Sequence, residues 1–368
     1  MTIQNACRCR SPSKAMQSAL GTIHMRLLRN RPSIPETTAA AKGHNATAVC
    51  CAIQSGNRRS NVTILVTGAT GNIGRRVVDQ LVGAGQRVRA MTRDPRAARL
   101  TDGVEVVYGD FERPETWPDV LDEIERVYLF PFAYVASEPG AGFVEQAAKA
   151  GVRRFVVHSA AAAGFAPGDE PGDRSLSPLR RHLADERQAH RELELMVEAT
   201  DAEWTHVRPG LLAVNALGWA ERIRAELVVR EPYGTAGYPL VHEADIAEVA
   251  VAALLGDSHV GAAYTITGPA KISQAEQVKA IGAAIGEEIR FEELTPEQAR
   301  EQWLQDGYPP EMADWRIELL AAAVDGPGSL PPTTTFQQIT GRPARTFARW
   351  ALDHAADFRP ARRTKKAA

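Results

Sequence analysis

Three chemically capable side chains stand one helical turn apart in LADERQAHRELE (183–194): Glu186, His190 and Glu194. Residues four apart share one face of a helix, so this spacing lines up a carboxylate, an imidazole and a second carboxylate. Glu186 and His190 admit three readings. In the first they are an acid/base pair: His190, near its ordinary pKa of about 6.5, donates a proton and Glu186 raises that pKa. In the second His190 hydrogen-bonds a sugar hydroxyl. In the third they belong to a charged surface stripe, worth about 0.2–0.5 kcal/mol per pair.

A second group of residues has a more specific signature. Gly68, Gly71 and Gly74 form GxxGxxG, and Thr67, Thr70, Asn72 and Ile73 fill the same loop. The apolar run NVTILV (61–66) precedes it, and Ile73, Val77, Val78, Leu81 and Val82 follow at helical spacing. Between strand and helix, the first glycines let the backbone turn tightly and approach a ligand. The third allows close helix–strand packing, and the helix start offers free N–H groups to a pyrophosphate. The N–H groups of Thr67, Asn72 and Ile73 are the expected phosphate contacts. Arg93 lies 19 residues past Gly74, where a guanidinium suits an adenosine 2′-phosphate; Asp94 follows, and a carboxylate suits a free ribose. The balance favours NADP(H), with NAD(H) possible. Asp110, at the end of VEVVYGD, is placed to accept from an adenine amino group or to cap a turn.

These residues need a frame. Strands are expected at 61–66, 87–92, 104–110, 126–130, 152–160 and 202–210, with helices at about 139–150 and 179–199 among them. Such alternation predicts a Rossmann-type α/β fold, a doubly wound parallel sheet with helices on both faces. Past 210 the pattern loosens: helices at 243–255, 273–286 and about 343–357, strands at 262–268 and 288–294. We read 61–358 as one domain and about 211–358 as a small C-terminal substrate lobe. Pro131 and Phe132 follow the fourth strand, on the nicotinamide side. Ser159, Arg208, Pro209, Gly210 and Asn215 fall at the strands' C-terminal edge, where open α/β sheets bind ligands. His242 precedes the helix of Asp245, whose expected role is local packing and hydrogen bonding; Trp204 reads as core.

Composition is that of a globular protein, 44% hydrophobic and 24% charged. The net charge of −2 hides an asymmetry. Residues 1–60 hold nine Lys/Arg and one acid, Glu36, leaving the remainder at −10. An acidic body argues against a nucleic-acid surface, and no apolar run is long enough for a membrane span. All four cysteines lie in the 1–60 tail, so no disulfide or cysteine metal site supports the body, and the histidines show no HExxH spacing. The tail reads as disordered. It is superficially similar to an organelle transit peptide, but an upstream extension is the simpler reading. A second basic tail closes the chain at 359–368.

VTGATGNIG, MTRDP, GDFERPETW, FVVHSA, WTHVRPGLLAVN, EADIAEVA, YTITGP and TGRPARTFARWALDH occur in an order that resembles the NmrA-like NAD(P)-binding group of atypical short-chain dehydrogenase/reductases. The resemblance covers about 62–357. It implies a bound NAD(P)(H) and a cleft between sheet ends and C-terminal lobe. Carbonyl-reducing relatives of this group use a Ser, a Tyr and a Lys four residues after the Tyr. Measured back from Arg208-Pro209-Gly210, Glu186 stands at the Tyr position and His190 at the Lys position. HSAAAAG offers Ser159 and then only alanines, so the triad is missing. The expected function is a cytoplasmic NAD(P)-dependent oxidoreductase of a small, fairly apolar organic molecule. The alternative is a non-catalytic redox sensor acting through a protein partner; a homodimer fits either.

Overall fold

The computed structural model describes residues 62–130, 139–325 and 329–360. Pro131, Phe132, the 1–60 tail and the basic run 361–368 lie outside the described residues. In chain order the elements are β1 (Thr63–Val66), α1 (Gly74–Gly83), β2 (Arg87–Thr92), β3 (Glu105–Tyr108), α2 (Trp117–Leu121), β4 (Ile124–Leu129), α3 (Pro139–Lys149), β5 (Arg154–His158), α4 (Pro178–Glu198) and β6 (Glu203–Pro209). There follow α5 (Ala220–Glu226), β7 (Val228–Glu231), β8 (Gly237–Tyr238), α6 (Glu243–Leu255), β9 (Ala262–Ile266), β10 (Ile272–Ser273), α7 (Gln274–Ile285) and β11 (Arg290–Glu293). Four further helices and a short last one end the chain: α8 (Pro296–Gln305), α9 (Pro310–Asp325), α10 (Thr335–Thr340), α11 (Phe347–Asp353) and α12 (Ala355–Phe358).

Seven strands form one parallel sheet in the order β3-β2-β1-β4-β5-β6-β9. The order reverses between β1 and β4, the point beyond whose strand ends open α/β sheets bind ligands. β1 and β5 are buried along their whole length, as central strands covered on both faces must be. The edge strand β3 exposes Glu105 and Tyr108. α1 buries Gly74, Val77, Val78 and Leu81, the i, i+3, i+4, i+7 stripe of an amphipathic helix. α4 starts where Ser177 caps the Arg180 N–H and Pro178 occupies the first turn. α6 buries nine of its thirteen residues, because the sheet lies on one side and α1 with the C-terminal segment on the other.

Past β6 the structure does not form a wholly separate unit. β9 adds to the main sheet and α6 packs in its core. A second core gathers Ile223, Val229, Val278, Trp303, Leu320 and Trp350 from the other C-terminal elements. The single helix expected at 343–357 is broken. His354 leaves helical geometry at φ −104°, ψ 9°, and separates α11 from α12.

Candidate functional site

The loop after β1 is built by contacts that only glycine permits. Gly68 has φ +61°, and a Cβ there would lie 2.8 Å from the Phe130 ring. A Cβ on Gly74 would come within 2.2 Å of the Gly68 carbonyl oxygen. The start of α1 is therefore seated directly on the loop. The Gly71 N–H closes the turn by donating to the Gly68 oxygen at 3.0 Å. Ile73 leads into α1 without a side-chain cap, so the helix start presents unsatisfied amides and a partial positive charge. One expected contact is corrected. The Thr67 N–H donates to the Tyr128 carbonyl at 3.1 Å, and the Thr67 hydroxyl accepts the Phe130 N–H at 2.7 Å. Thr67 ties β1 to β4 and has no amide to spare for a phosphate. Asn72, Ile73 and Gly74 keep that role open; Thr70, half-buried, lends its carbonyl to Arg75.

At the end of β2, Arg93 is exposed. Asp94 turns into its own loop, its Oδ1 accepting the Ala97 N–H at 3.2 Å. Asp110 Oδ1 accepts the Glu112 N–H at 3.1 Å, and its carbonyl takes the Trp117 indole N–H at 2.9 Å, so Asp110 caps a turn at the end of β3.

Opposite the loop, at the ends of β4 and β5, lies a group that sequence reasoning passed over. The Phe130 ring packs edge-on against His158 with centroids 4.7 Å apart, and the Tyr128 hydroxyl is 2.8 Å from His158 Nδ1. Burial, with the nearby His190 adding to it, pushes His158 down to about 3; burial also raises Tyr128. Both are neutral at physiological pH. Next in the strand, Ser159 is 1% exposed, and its hydroxyl lies within reach of the Glu194 carboxylate, which it helps to hold ionised. His190 Nδ1, from α4, is buried and has no hydrogen-bond partner among the described residues. A buried nitrogen left open near the end of β5 is suited to a ligand's hydroxyl or amide. Tyr128 and His158 sit in the strand-like runs RVYLF and FVVHSA, where a polar residue in a fully buried strand carries no periodic signal.

α4 resolves the Glu186–His190–Glu194 stripe, which is not a surface stripe. Glu194 is fully buried. It receives Arg208 in a two-pronged pair at 2.8 and 2.6 Å, and Arg191 at 3.0 Å. Burial opposes its charge, yet Arg208 and its neighbours hold Glu194 below the usual carboxylate range. Glu186 and His190 do not form the expected pair. Burial takes His190 down to about 4, with Glu194 opposing, so it is a neutral imidazole rather than a proton donor at neutral pH. Glu186 lies 3.9 Å from His182. His182 is held below its ordinary value by burial and stacks on Trp315 of α9, rings 4.1 Å apart and parallel. Of the Glu186 side chain, 32% is exposed and the rest is packed in protein. That desolvation pushes its carboxyl up to about 7.

Glu194, Glu198 and His206 bring ligand-type atoms within 4.8 Å of one another. Arg191 and Arg208 occupy these carboxylates, which makes the group an ion-pair network rather than a ligand set. Trp204 stacks on His206 at 4.4 Å. Pro209 is buried at the end of β6, Gly210 donates to the Ile266 carbonyl beside it, and Asn215 is exposed. His242 does not face a cleft: it is 1% exposed and caps α6 through Nδ1. Asp245 accepts the Arg345 N–H at 2.8 Å and pairs with its guanidinium.

These features fit a dinucleotide. The glycine cradle and the helix start without a side-chain cap suit a pyrophosphate, and the open His190 nitrogen suits a ribose or carboxamide. Known proteins agree. The profile of the family described as NAD(P)H-binding matches residues 68–257. The chain is 38% identical to (4-alkanoyl-5-oxo-2,5-dihydrofuran-3-yl)methyl phosphate reductase of Streptomyces griseus subsp. griseus, over 81% of this chain and 99% of that protein. It is 35% identical to NAD(P)H azoreductase of Xenophilus azovorans, over 80% and 99%. Among solved structures, an NADPH-dependent quinone oxidoreductase from Escherichia coli shares the fold with a TM-score of 0.61, at 23% identity over 79% of this chain and 98% of that one. No described helix is long and apolar enough to cross a membrane.

Proposed function

The chain belongs to the NAD(P)H-binding family and is an oxidoreductase of small organic molecules; on that premise we propose that it reduces a conjugated, electron-poor acceptor, with Glu186 as the proton donor. The observation that carries this reading is the division of labour on α4. Glu194 is locked by two arginines, whereas Glu186, two turns earlier, stays partly open to solvent with its carboxyl raised to about 7 by desolvation. A carboxylic acid that keeps its proton near neutral pH can deliver it. Bound nicotinamide supplies the hydride. An acceptor reduced in this way at carbon or nitrogen would need a proton to complete the reaction. The proton passes from the Glu186 Oε–H to the heteroatom that collects the electron pair, and water reprotonates the carboxylate. As hydride arrives, an isolated ketone concentrates the developing charge on a single oxygen, and without a Tyr–Lys pair no built electrophile stands there to stabilise it. A quinone, azo group or conjugated lactone spreads the developing charge. The relatives' own substrates, an oxo-dihydrofuran phosphate and azo compounds, are unsaturated acceptors of this kind.

On this reading Ser159 and His190 hold the nicotinamide end, Gly68, Gly71, Asn72, Ile73 and Gly74 the pyrophosphate, and Arg93 the 2′-phosphate of a preferred NADP(H). Asp94, engaged with its own turn, is kept off that phosphate. No observation favours a protein-partnered sensor. The test is NADPH consumption with a quinone, an azo dye, a conjugated lactone and a simple ketone. Turnover of the first three and none of the ketone is expected. Equal ketone turnover, or no turnover with any acceptor, overturns the proposal.

A further inference from the structure

At the first turn of α1, next to the glycine loop, a buried carboxylate joins three elements. Glu243, the first residue of α6, is 1% exposed. Its Oε1 accepts from Arg76 Nη2 at 2.8 Å and from His354 Nε2 at 2.7 Å. Arg76 lies in the first turn of α1, two residues after Gly74. His354 is the break between α11 and α12. It stacks on Trp350 at 4.6 Å and reaches Asp357 with Nδ1 at 3.0 Å. The rest of this C-terminal strap is bound to α6 as well. Arg345 pairs with Asp245 and with Glu248 at 2.6 Å, and Arg342 with Glu248.

From this geometry we infer that Arg76–Glu243–His354 is a positioning device for the cofactor, through which the C-terminal strap sets the seat of α1 and hence nucleotide affinity. The inference rests on the glycine loop being the pyrophosphate site. Coupling to that loop is steric. A Cβ on Gly74 would fall 2.2 Å from the Gly68 carbonyl, so α1 cannot shift without displacing the loop. None of these three residues needs to touch the nucleotide.

The charges surrounding His354 are Glu243 from α6, Asp357 from α12 and, across Glu243, Arg76 from α1. His242 lies alongside. Its Nδ1 accepts the Ala244 N–H at 3.1 Å, which leaves its proton on Nε2 toward Asp353 at 3.3 Å, with Arg349 on the same aspartate. The 3.3 Å approach of His242 Nδ1 to Glu243 is therefore not an ion pair. Arg224 of α5 donates to the Asp357 carbonyl. Burial disfavours a charged His354, but Asp357 and Glu243 outweigh it and lift it to about 9. Burial likewise opposes the Glu243 charge, and its donors hold it well below the usual carboxylate range. His354 raised above its unfolded value favours the joined state below about pH 6.5, and the contribution is lost as pH rises through about 9. A neutral imidazole has one N–H, so one of the two acids then loses its donor.

The test is fluorescence titration of NADPH and NADH with the full chain, for wild type, Glu243→Gln, Arg76→Met and the double variant, between pH 7 and 10. Each single change is expected to raise both Kd values at least about fivefold, a typical coupling factor. The double variant should lose little more than either single change. Wild-type affinity should fall through about pH 9, with a flat profile in Glu243→Gln. Arg76 is 32% exposed, so Arg76→Met is read even where the buried Glu243 variant folds poorly. A lower Tm with unchanged Kd, additive losses, or loss for NADPH alone would overturn the inference. Gly71→Val checks the underlying reading separately. Its branched side chain would fill the phosphate seat, and normal binding by that variant refutes the loop assignment itself.

Discussion

Glu186 and Glu194 sit on the same face of the same helix, two turns apart, yet they are in opposite states. Glu194 lies against β6, where Arg208 and Arg191 complete its charge and lower its pKa. Glu186 lies 3.9 Å from His182, which stacks on Trp315 of α9, and desolvation raises the pKa of Glu186 to about 7. Position on a helix is therefore not function. The element facing each turn decides whether a carboxylate is a fastener or an acid.

The largest expected effect breaks the fastener. Arg208→Met leaves a buried carboxylate with Arg191 alone. It should cost about 3 kcal/mol, the low end for a broken buried pair because one cation remains. Urea unfolding measures this, and a loss under about 1 kcal/mol would mean the network contributes little. The same contrast predicts a pH dependence. Glu194, depressed, adds stability above the ordinary glutamate pKa of about 4.3, and that stability disappears as pH falls.

Next in size is the acid. Glu186→Gln should slow turnover about 100-fold, within the usual range for a lost general acid. Wild-type rate should decline as pH rises through about 7 and the variant should lack that limb. An unchanged profile in Glu186→Gln would move the proton donor elsewhere. Smaller again is Arg93→Ala. It should weaken NADPH about tenfold and NADH by less than about threefold, because only the former carries the phosphate. Equal weakening of both would place Arg93 on a group the two nucleotides share. The smallest effect concerns stability. A raised carboxyl loses stability as pH climbs from about 4.3 through about 7. Glu186→Gln should match wild type in acid and unfold slightly later above pH 7 in thermal melts.

The sheet was legible in the sequence because buried parallel strands are continuous apolar runs and their covering helices repeat every three to four residues. RVRAMT and EADIAEVAVAALL fall where the chain folds them, at Arg87–Thr92 and Glu243–Leu255. The glycine loop was legible for a stronger reason. Gly74 against the Gly68 carbonyl is a contact that any side chain would prevent, so sterics write the residue type into the chain. Spacing also put Glu186, His190 and Glu194 on one face, which is a local property of the helix.

Their chemistry was not local. Arg208 meets Glu194 from a strand 14 residues on, and Trp315 meets His182 from a helix far along the chain. Glu243 is joined to Arg76, 167 residues away, and to His354, 111 away. A pKa depends on what surrounds a group within a few ångströms, and for these residues only the packing of distant elements determines those surroundings. Local sterics and hydrophobic period thus placed the glycine loop and the helix that carries Glu186, His190 and Glu194. Only the tertiary structure decided which carboxylate keeps a proton, which histidine stays neutral and which ion pairs brace the loop.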